Sequence, residues 1–533
     1  MENNALLEKS IATKQDAALV VTVFFFTLIG LAIRLAAPLQ AAFPLNDGGL
    51  FYAMIVDLQE AGYALPLFST YNAATIPFAY PPLAFYLTGW LADLLRIPAL
   101  EIVRLLPAVI SALTIPAFYS SAKEITSSKV QIVLAVFAFA VLPRDFAWLI
   151  MGGGITRSFG LFFALLTMAA AYRFYSGHKA RHFLACILFG ALTAVTHPEA
   201  TVHAAITALV FFLWKDRSIK GFLLSLGMAA GTLVLTSPWW SLVISRHGLD
   251  PFLAAFTASG QDSLNPLVGL FIFFRFLFTD EPFLSILAML GLVGLFASLA
   301  RKQTLLPAWM FILHLVEPRG GPLYMMVPLA LLIGYALENV ILPALRPKGD
   351  NPAPANAREA LESILRWKAS RYFLLFLFAY STMSAYSTSL KIKDELSLQP
   401  ADLEAFAWVK ANTPEDSKFL LVTGQLPLRD AWSEWFPVLA ERHSQATVFG
   451  YEWVNDGKFG SRVEAYKNLQ TCSRENIACL DTWNQGSSEE FSYVYLFNQA
   501  GPTRLPLTIH LQQDPNYNLM FQNEQTMVFE KIR

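Results

Sequence analysis

Residues 43–55, FPLNDGGLFYAMI, place a single carboxylate beside two glycines, directly after the first strongly apolar run of the chain. Asp47 is therefore the first residue whose type and position suggest chemistry. An aspartate at a water–membrane boundary can act as a general base that takes the proton of a hydroxyl nucleophile. It can equally cap a helix that begins at Gly48 or Gly49, and the two roles do not exclude each other.

Three arginines are candidates for holding an anion such as a phosphate. Arg319 in EPRGG stands beside two glycines, whose accessible amides favour an anion. Arg157 in GGGITR is predicted to lie at the N-terminal end of a helix, where a phosphate is also favoured. Arg104 lies in an apolar run, where a charge is costly unless it is paired or bound to an anion. The alternative for all three is that they reach lipid headgroups at the interface.

Composition decides what kind of protein must position these residues. Of the 533 residues, 55% are hydrophobic and only 15% are charged. Soluble domains contain about 25% charged residues, so the chain is predicted to cross a membrane several times. The net charge of −1 leaves no basic surface, and nucleic acid is not an expected partner.

Apolar runs and the Lys and Arg residues that flank them predict about eleven membrane helices, with the N-terminus in the cytoplasm and the C-terminus outside. Residues 39–98 form the first outer loop, in which 49–62 and 80–95 are predicted to be helices on the outer membrane surface. Residues 344–370 are a predicted cytoplasmic linker. The predicted spans are residues 16–38, 99–121, 128–145, 158–174, 182–196, 200–214, 220–237, 283–300, 303–317, 322–343 and 372–390.

The stretch 238–282 is the hardest to place. Residues 265–280 look like a span but carry Arg275, and the number of crossings makes this segment a surface or re-entrant helix. Asp280 and Glu281 at its end are either a second acidic group of a functional site or turn residues before Pro282.

The composition changes at about residue 394, which divides the chain into a membrane domain, 1–393, and an extracytoplasmic domain, 394–533, of mixed helix and strand. Cys472 and Cys479 would face an oxidising compartment there, where a disulfide is favoured over two free thiols. The aromatic and acidic residues of WSEWFP (432–437) and GYEW (450–453) suit either a core or a binding surface, and the core is the simpler interpretation.

This arrangement resembles the GT-C superfamily of polyprenyl-phosphate-dependent membrane glycosyltransferases. NDGGLFY (46–52), YPPLAFYL (80–87) and VRLLPAVISALT (103–114) are similar to segments of protein O-mannosyltransferases and bacterial aminoarabinose transferases. AWVKANTPEDSKFL (407–420) resembles the start of the outer domain in oligosaccharyltransferase catalytic subunits. In layout, the resemblance covers roughly residues 16–420.

Two departures from oligosaccharyltransferases affect the predicted chemistry. Their second outer loop carries paired acids that help to hold a metal, whereas MGGGITRSFG (151–160) contains no acid. Their WWDYG-type motif is also missing, since LLVTGQLPL (420–428) stands near its place. Glycosylation of asparagine sequons is therefore not expected. A transfer without metal or other cofactor, in which arginine neutralises a single leaving phosphate, fits the residues better.

The resemblance implies transfer of a sugar from a polyprenyl phosphate to an acceptor hydroxyl at the outer face of the cell membrane, where the chain is a multi-pass protein. Asp47 would be the base of an inverting displacement. The acceptor is an unidentified glycan, lipid or protein, and membrane lipids surround the helices. The candidate phosphate ligands are Arg319, Arg157 and Arg104, and the candidate sugar or acceptor ligands are His197, Glu199, Tyr80 and Glu317.

The sugar-binding candidates also have simpler structural interpretations. His197 and Glu199 would belong to a proline turn at a helix start, Tyr80 to the interfacial aromatic belt, and Glu317 to a local ion pair with Arg319. At the level of the whole chain, the alternatives are a non-catalytic membrane scaffold and a lipid or sugar transporter with the same fold. Transporters usually contain inverted repeats, and the sequence shows none.

Overall fold

The computed structural model describes residues 2–261, 271, 273, 276, 278–317, 320–347, 366–427, 429–485, 490–497 and 506–532, with the backbone path alone for 2–16 and 259–261. Arg319, Arg275 and most of the predicted linker 344–370 lie outside the described residues.

Helices dominate the first three quarters of the chain, and all eleven predicted spans overlap one of them. Ser128, His197 and Ser218 cap three of these helices, since their side chains accept hydrogen bonds from amides in the first turn. In chain order the helices are α1 (Glu2–Gln40), α2 (Gly49–Glu60), α3 (Leu83–Leu95), α4 (Ala99–Ile125), α5 (Lys129–Val141), α6 (Gly154–Gly177), α7 (Ala180–Ala194), α8 (Pro198–Lys215), α9 (Ile219–His247), α10 (Asp250–Gln261), α11 (Ile286–Ala300), α12 (Leu305–Val316), α13 (Gly321–Ala344) and α14 (Lys368–Leu396).

Within the described residues, six helices are long and apolar enough to cross a membrane, namely residues Ala17–Gln40 of α1 together with α4, α6, α9, α13 and α14. Helices α3, α5, α7, α11 and α12 are apolar but shorter. Large apolar side chains point outward, such as Phe24 at 62% exposure and Val234 at 70%. Such a surface is unsuited to water and suits lipid. The total of eleven crossings and their direction stay predictions.

The first outer loop contains both predicted surface helices, as α2 and α3, and a short antiparallel ribbon of β1 (Phe68–Ser69) and β2 (Ile76–Pro77). Buried Asp57 of α2 fixes the ribbon, because its carboxylate accepts hydrogen bonds from the hydroxyls of Ser69, at 2.8 Å, and Thr70, at 2.6 Å. The position of α2 and α3 on the membrane surface stays a prediction.

The last part of the chain contains β3 (Lys418–Val422), β4 (His443–Ser444), β5 (Tyr493–Phe497), β6 (Tyr517–Gln522) and β7 (Thr526–Lys531). They form a mixed sheet with strand order β4-β3-β5-β7-β6. Strand β3 pairs in parallel with β4 and β5, and β7 pairs antiparallel with β5 and β6. Cys472 and Cys479 form a disulfide beside it. The helices of this sheet domain are α15 (Pro400–Asn412), α16 (Ala431–Leu439), α17 (Phe459–Thr471), α18 (Ile477–Gln485) and α19 (Pro506–Gln513).

The first outer loop and the sheet domain share one hydrophobic core. Phe43, Met54 and Tyr71 of the loop belong to the same buried cluster as Trp435 and Phe436 of α16. The backbone joins the two regions as well, since the Asn46 amide donates to the Leu396 carbonyl at 2.7 Å. The residues around Asp47 are therefore fixed from both sides.

Candidate functional site

Asp47 lies where the predicted first outer loop, residues 39–98, meets the glycine-rich segment MGGGITR, residues 151–157, and both of its carboxylate oxygens are engaged. Oδ1 accepts a hydrogen bond from the Gly153 amide at 3.0 Å. Oδ2 pairs with Nη2 of Arg157 at 2.7 Å. The Asp47 side chain keeps 13% of its surface exposed, so the pair is largely enclosed but accessible. A hydrogen-bonded carboxylate next to a guanidinium places a base and a cation side by side.

Glycines of the MGGGITR segment make this approach possible. A Cβ atom on Gly152 would lie 2.1 Å from the Asp47 carbonyl oxygen, and one on Gly153 would lie 2.6 Å from Asp47 Oδ2. Real side chains cannot occupy such positions without a shift of the loop. The sequence MGGGITR, which lacks an acid, therefore contributes a backbone amide and Arg157 to the site.

Arg157 is oriented by a second contact besides Asp47. Its Nε donates to the Trp148 carbonyl at 3.1 Å, and the guanidinium carbon lies 5.7 Å from the centre of the Trp148 ring. Nη1 makes no hydrogen bond to any residue in the described ranges. The planar guanidinium is thus held by one edge, and the remaining donors suit a phosphate oxygen.

Tyr80 lies in the same region. Its hydroxyl is 3.2 Å from Oγ1 of Thr156, one residue before Arg157, and its ring contacts Phe51 and Trp453 at centroid distances of 4.8 and 5.4 Å. Burial raises the pKa of the Tyr80 hydroxyl, with an opposing effect from Thr156 and Arg157. Tyr80 is therefore a protonated hydroxyl, able to donate a hydrogen bond.

A second cluster of polar side chains, besides Asp47 and Arg157, surrounds Gly320. A Cβ atom on Gly320 would lie 2.7 Å from Glu317 Oε2, 3.0 Å from Glu199 Oε2 and 3.2 Å from His203 Nε2. His203 Nε2 is 3.0 Å from Glu317 Oε2, and its ring stacks on Tyr324 at 4.1 Å. Glu199 also interacts electrostatically with Arg157, so the two polar groups belong to one region.

Sequence reasoning missed His203, although a signal was present. Residues four apart on a helix lie on the same face, and His203 stands four residues after Glu199 in α8. Glu317 pairs with His203 here, whereas the predicted partner Arg319 lies outside the described residues.

The remaining candidates make contacts that fix the fold. His197 is buried, and its Nδ1 caps α8 by accepting from the Ala200 amide at 3.3 Å. Arg104 pairs with Glu101, its Nε donating to Oε2 at 3.0 Å. Its Nη1 also donates to the carbonyls of Pro38 and Ala41, at 3.3 and 2.7 Å, which fixes the end of α1.

Asp280 and Glu281 serve local structure. Asp280 pairs with Arg144 at 3.0 Å. Glu281 caps α11, because its two oxygens accept hydrogen bonds from the amides of Leu287 and Ala288, each at 3.0 Å.

Glu434 of α16 is the acidic residue that sequence reasoning did not place at the site. Its Oε1 accepts from the Gly48 amide at 2.8 Å and faces the Leu50 amide at 3.5 Å. Burial raises the pKa of Glu434 well above its usual range, and the negative charge of Asp47 raises it further. Its neighbours Trp435 and Phe436 are fully buried, as the core interpretation of WSEWFP predicted. No local pattern indicates a contact between residues 386 apart.

Among the described residues, no three His, Cys, Asp or Glu side chains are arranged to hold a metal ion.

The sequence matches no protein-family model and no curated protein at a significant level.

Several solved structures have a fold similar to that of this chain. An oligosaccharyltransferase of Archaeoglobus fulgidus, tethered to an acceptor peptide with the NVT sequon, has a TM-score of 0.55 and 13% identity, over 90% of this chain and 69% of that chain. ArnT from Cupriavidus metallidurans, bound to undecaprenyl phosphate, has a TM-score of 0.56 and 13% identity, over 97% and 98% of the two chains. The arabinofuranosyltransferase AftD from Mycobacteria has a TM-score of 0.55 and 17% identity, over 96% of this chain and 40% of that chain.

Proposed function

We propose that this chain, which has the GT-C fold, transfers a sugar from a polyprenyl-phosphate donor to an acceptor hydroxyl at the outer face of the membrane. The main support is the pair of Asp47 and Arg157, joined at 2.7 Å between two outer loops. Sugar transfer from a lipid phosphate requires a base for the acceptor and a cation for the leaving group. Among the proteins with a similar fold, ArnT was solved with undecaprenyl phosphate, and the oligosaccharyltransferase of Archaeoglobus fulgidus was also solved with an inhibitory peptide and a dolichol-phosphate.

In the proposed reaction Asp47 takes the proton of the acceptor hydroxyl while the hydroxyl oxygen attacks the anomeric carbon. The bond from that carbon to the phosphate oxygen breaks, and polyprenyl phosphate leaves with the bonding electrons. A single direct displacement inverts the anomeric configuration. Arg157 stabilises the charge that develops on the phosphate. When the phosphate competes for Arg157, the guanidinium binds Asp47 less strongly, which makes Asp47 a better base at the moment of transfer.

The polar group around Gly320 supplies the proposed sugar or acceptor contacts. Glu199 and Glu317 accept hydrogen bonds from sugar hydroxyls, and Tyr80 donates one. His197 positions Glu199 through the start of α8. Arg319 and Arg104 stay candidate phosphate ligands, although Arg104 would have to leave the carbonyls that it holds at the end of α1.

The disulfide supports the proposed location of the sheet domain. Cys472 and Cys479 are bonded, and such bonds persist in oxidising compartments outside the cytoplasm. We therefore place residues 394–533 on the extracytoplasmic side of the cell membrane, with 344–370 as a cytoplasmic linker.

The direct test measures release of polyprenyl phosphate from radiolabelled polyprenyl-phosphate sugars by the purified protein, with wild type beside Asp47→Asn. Asparagine keeps the size of the side chain but is not a base, and we expect a loss of about 10²- to 10⁴-fold in kcat. Asp280→Asn is the matched control, because it removes an Asp–Arg pair of similar length outside the proposed site. Equal turnover in wild type and Asp47→Asn would remove the base from the mechanism. Absence of turnover and of donor binding would favour a scaffold.

A further inference from the structure

Helix α16 of the sheet domain reaches into the loop that carries Asp47. Two neighbouring residues of α16 hold three backbone groups of that loop, which belong to residues 46, 48 and 50. Glu434 accepts from the amides of Gly48, at 2.8 Å, and Leu50, at 3.5 Å. Trp435 Nε1 donates to the Asn46 carbonyl at 2.9 Å. Asp47 lies between these contacts, so its backbone position depends on α16.

The contact leaves little room for adjustment. A Cβ atom on Gly49 would lie 2.5 Å from the Glu434 carbonyl oxygen. That same carbonyl accepts a hydrogen bond from the Tyr71 hydroxyl at 2.8 Å, which fixes α16 to the first outer loop a second time. Glu434 as a whole residue is only 4% exposed. The arrangement resembles an N-terminal helix cap, except that the capping carboxyl group comes from another domain.

We propose that Glu434 is a positioning residue for the transfer, which holds residues 46–50 so that Asp47 stays aligned with Arg157. This role rests on the proposed function of Asp47, and it makes the sheet domain a part of the structure that positions the base. Displacing a reacting group by about 1 Å can lower the rate on the order of 10²-fold. A loop that is held in place therefore keeps the transfer fast.

The charge state of Glu434 follows from its neighbours. Asp47 and Tyr71 face it from the first outer loop and Arg157 faces it from α6. Burial and the charge of Asp47 both raise its pKa, and Arg157 opposes them. Its Oε2 is buried and has no hydrogen-bond partner within the described part of the chain, as suits a neutral carboxyl group. While Glu434 is protonated, Asp47 does not share the site with a second negative charge.

The test compares Glu434→Ala, Glu434→Gln and wild type in the polyprenyl-phosphate release assay. We expect Glu434→Ala to lower kcat roughly 10- to 100-fold while KM for the donor stays within about twofold, because the donor ligands are unchanged. Glutamine still accepts the Gly48 hydrogen bond, so kcat should stay within about threefold. Activity of the wild type should also decline at alkaline pH as Glu434 ionises, and Glu434→Gln should lack that decline.

Glu281→Ala is the matched control, since it removes a glutamate cap from α11 without touching the Asp47 loop. A fall in kcat equal to that of Glu281→Ala would reduce Glu434 to a purely structural role and overturn the inference. Hydrogen exchange at the Gly48 and Leu50 amides gives a second readout, expected to be faster in Glu434→Ala and unchanged in Glu281→Ala. If wild type transfers no sugar, the proposed function fails, and unchanged exchange would refute the positioning role separately.

Discussion

At the scale of single residues, the site depends on a carboxylate, a guanidinium and the absence of side chains between them. The sequence predicts the first two, because an acid beside glycines at the end of an apolar run and an arginine at a predicted helix start are local patterns. Their distance of 2.7 Å was not predictable, since it depends on two loops more than 100 residues apart. The close approach of Gly153 depends on the same loops.

Arg157→Lys tests the geometry of the guanidinium. Lysine keeps the charge but cannot donate to Asp47, to the Trp148 carbonyl and to a phosphate in one plane. We expect kcat/KM for the donor to fall about 10- to 100-fold, with a further fall in Arg157→Gln. Arg144→Lys serves as the control, because Arg144 forms an Asp–Arg pair outside the proposed site, with Asp280. Equal kinetics in Arg157→Lys and wild type would show that the transfer does not need the planar guanidinium to contact Asp47 and the phosphate together.

Gly153→Ala tests the close approach of the loops. The new methyl group would lie 2.6 Å from Asp47 Oδ2, so Asp47 or the loop must shift. We expect a loss of roughly 10²-fold in kcat with a nearly unchanged thermal midpoint. Gly177→Ala, at the other end of α6, is the control, because its Cβ would meet no atom within 4 Å. Similar activities in the two variants would mean that the loop tolerates the methyl group.

At the scale of elements, apolar runs in the sequence predict the positions of the helices well. Contacts between residues far apart in the sequence could not be predicted. The predicted spans 99–121 and 322–343 correspond to α4 and α13 within a few residues, because a continuous apolar run is recorded in the local sequence. The role of α16 could not be predicted, because it depends on a contact that is not recorded in the local sequence. Its sequence WSEWFP reads as core, which holds for Trp435, but nothing local shows that Glu434 caps a loop near residue 48.

The ionisation of Glu434 should affect stability as well as rate. A carboxyl group whose pKa is raised in the folded state binds its proton more tightly there than in the unfolded chain, where the pKa is about 4.3. Its contribution to stability is therefore present at low pH and is lost as pH rises through the folded pKa. We expect the thermal midpoint of Glu434→Gln, relative to wild type, to rise by about 2–4 °C between pH 5 and pH 8. A constant difference across that range would mean that folding does not raise the pKa of Glu434.

The disulfide between Cys472 and Cys479 is a local staple of the sheet domain, at the end of α17. A loop this short is expected to contribute about 2–3 kcal/mol to stability, mainly through the unfolded state. Replacing both cysteines by serine should lower the thermal midpoint, while kcat at 20 °C stays close to wild type because the site lies elsewhere. Cys186→Ala is the control for loss of a thiol. A large fall in kcat would connect the disulfide to the site.

At the scale of the whole molecule, the predicted topology places the sheet domain outside and the turn between α11 and α12 inside. Cysteine labelling of intact cells checks both statements in one experiment. Glu441 and Lys302 are exposed and suit single cysteine substitutions. We expect a membrane-impermeant maleimide to modify Glu441→Cys in intact cells, and Lys302→Cys only after permeabilisation. The reverse pattern would invert the topology, and wild type measures the background.

The distance in sequence between Gly48 and Glu434 has a consequence for biosynthesis. The partner of the Gly48 amide is made 386 residues later. In the predicted topology, its domain follows the last membrane helix and folds after that helix has been made. A nascent chain can therefore insert its whole helical bundle while the Asp47 loop still lacks one of its supports. Under the proposed function, transfer activity would arise only after the C-terminal domain has been made and has folded onto this loop. Premature termination before residue 431 would consequently leave an inserted but immature protein, rather than a smaller enzyme.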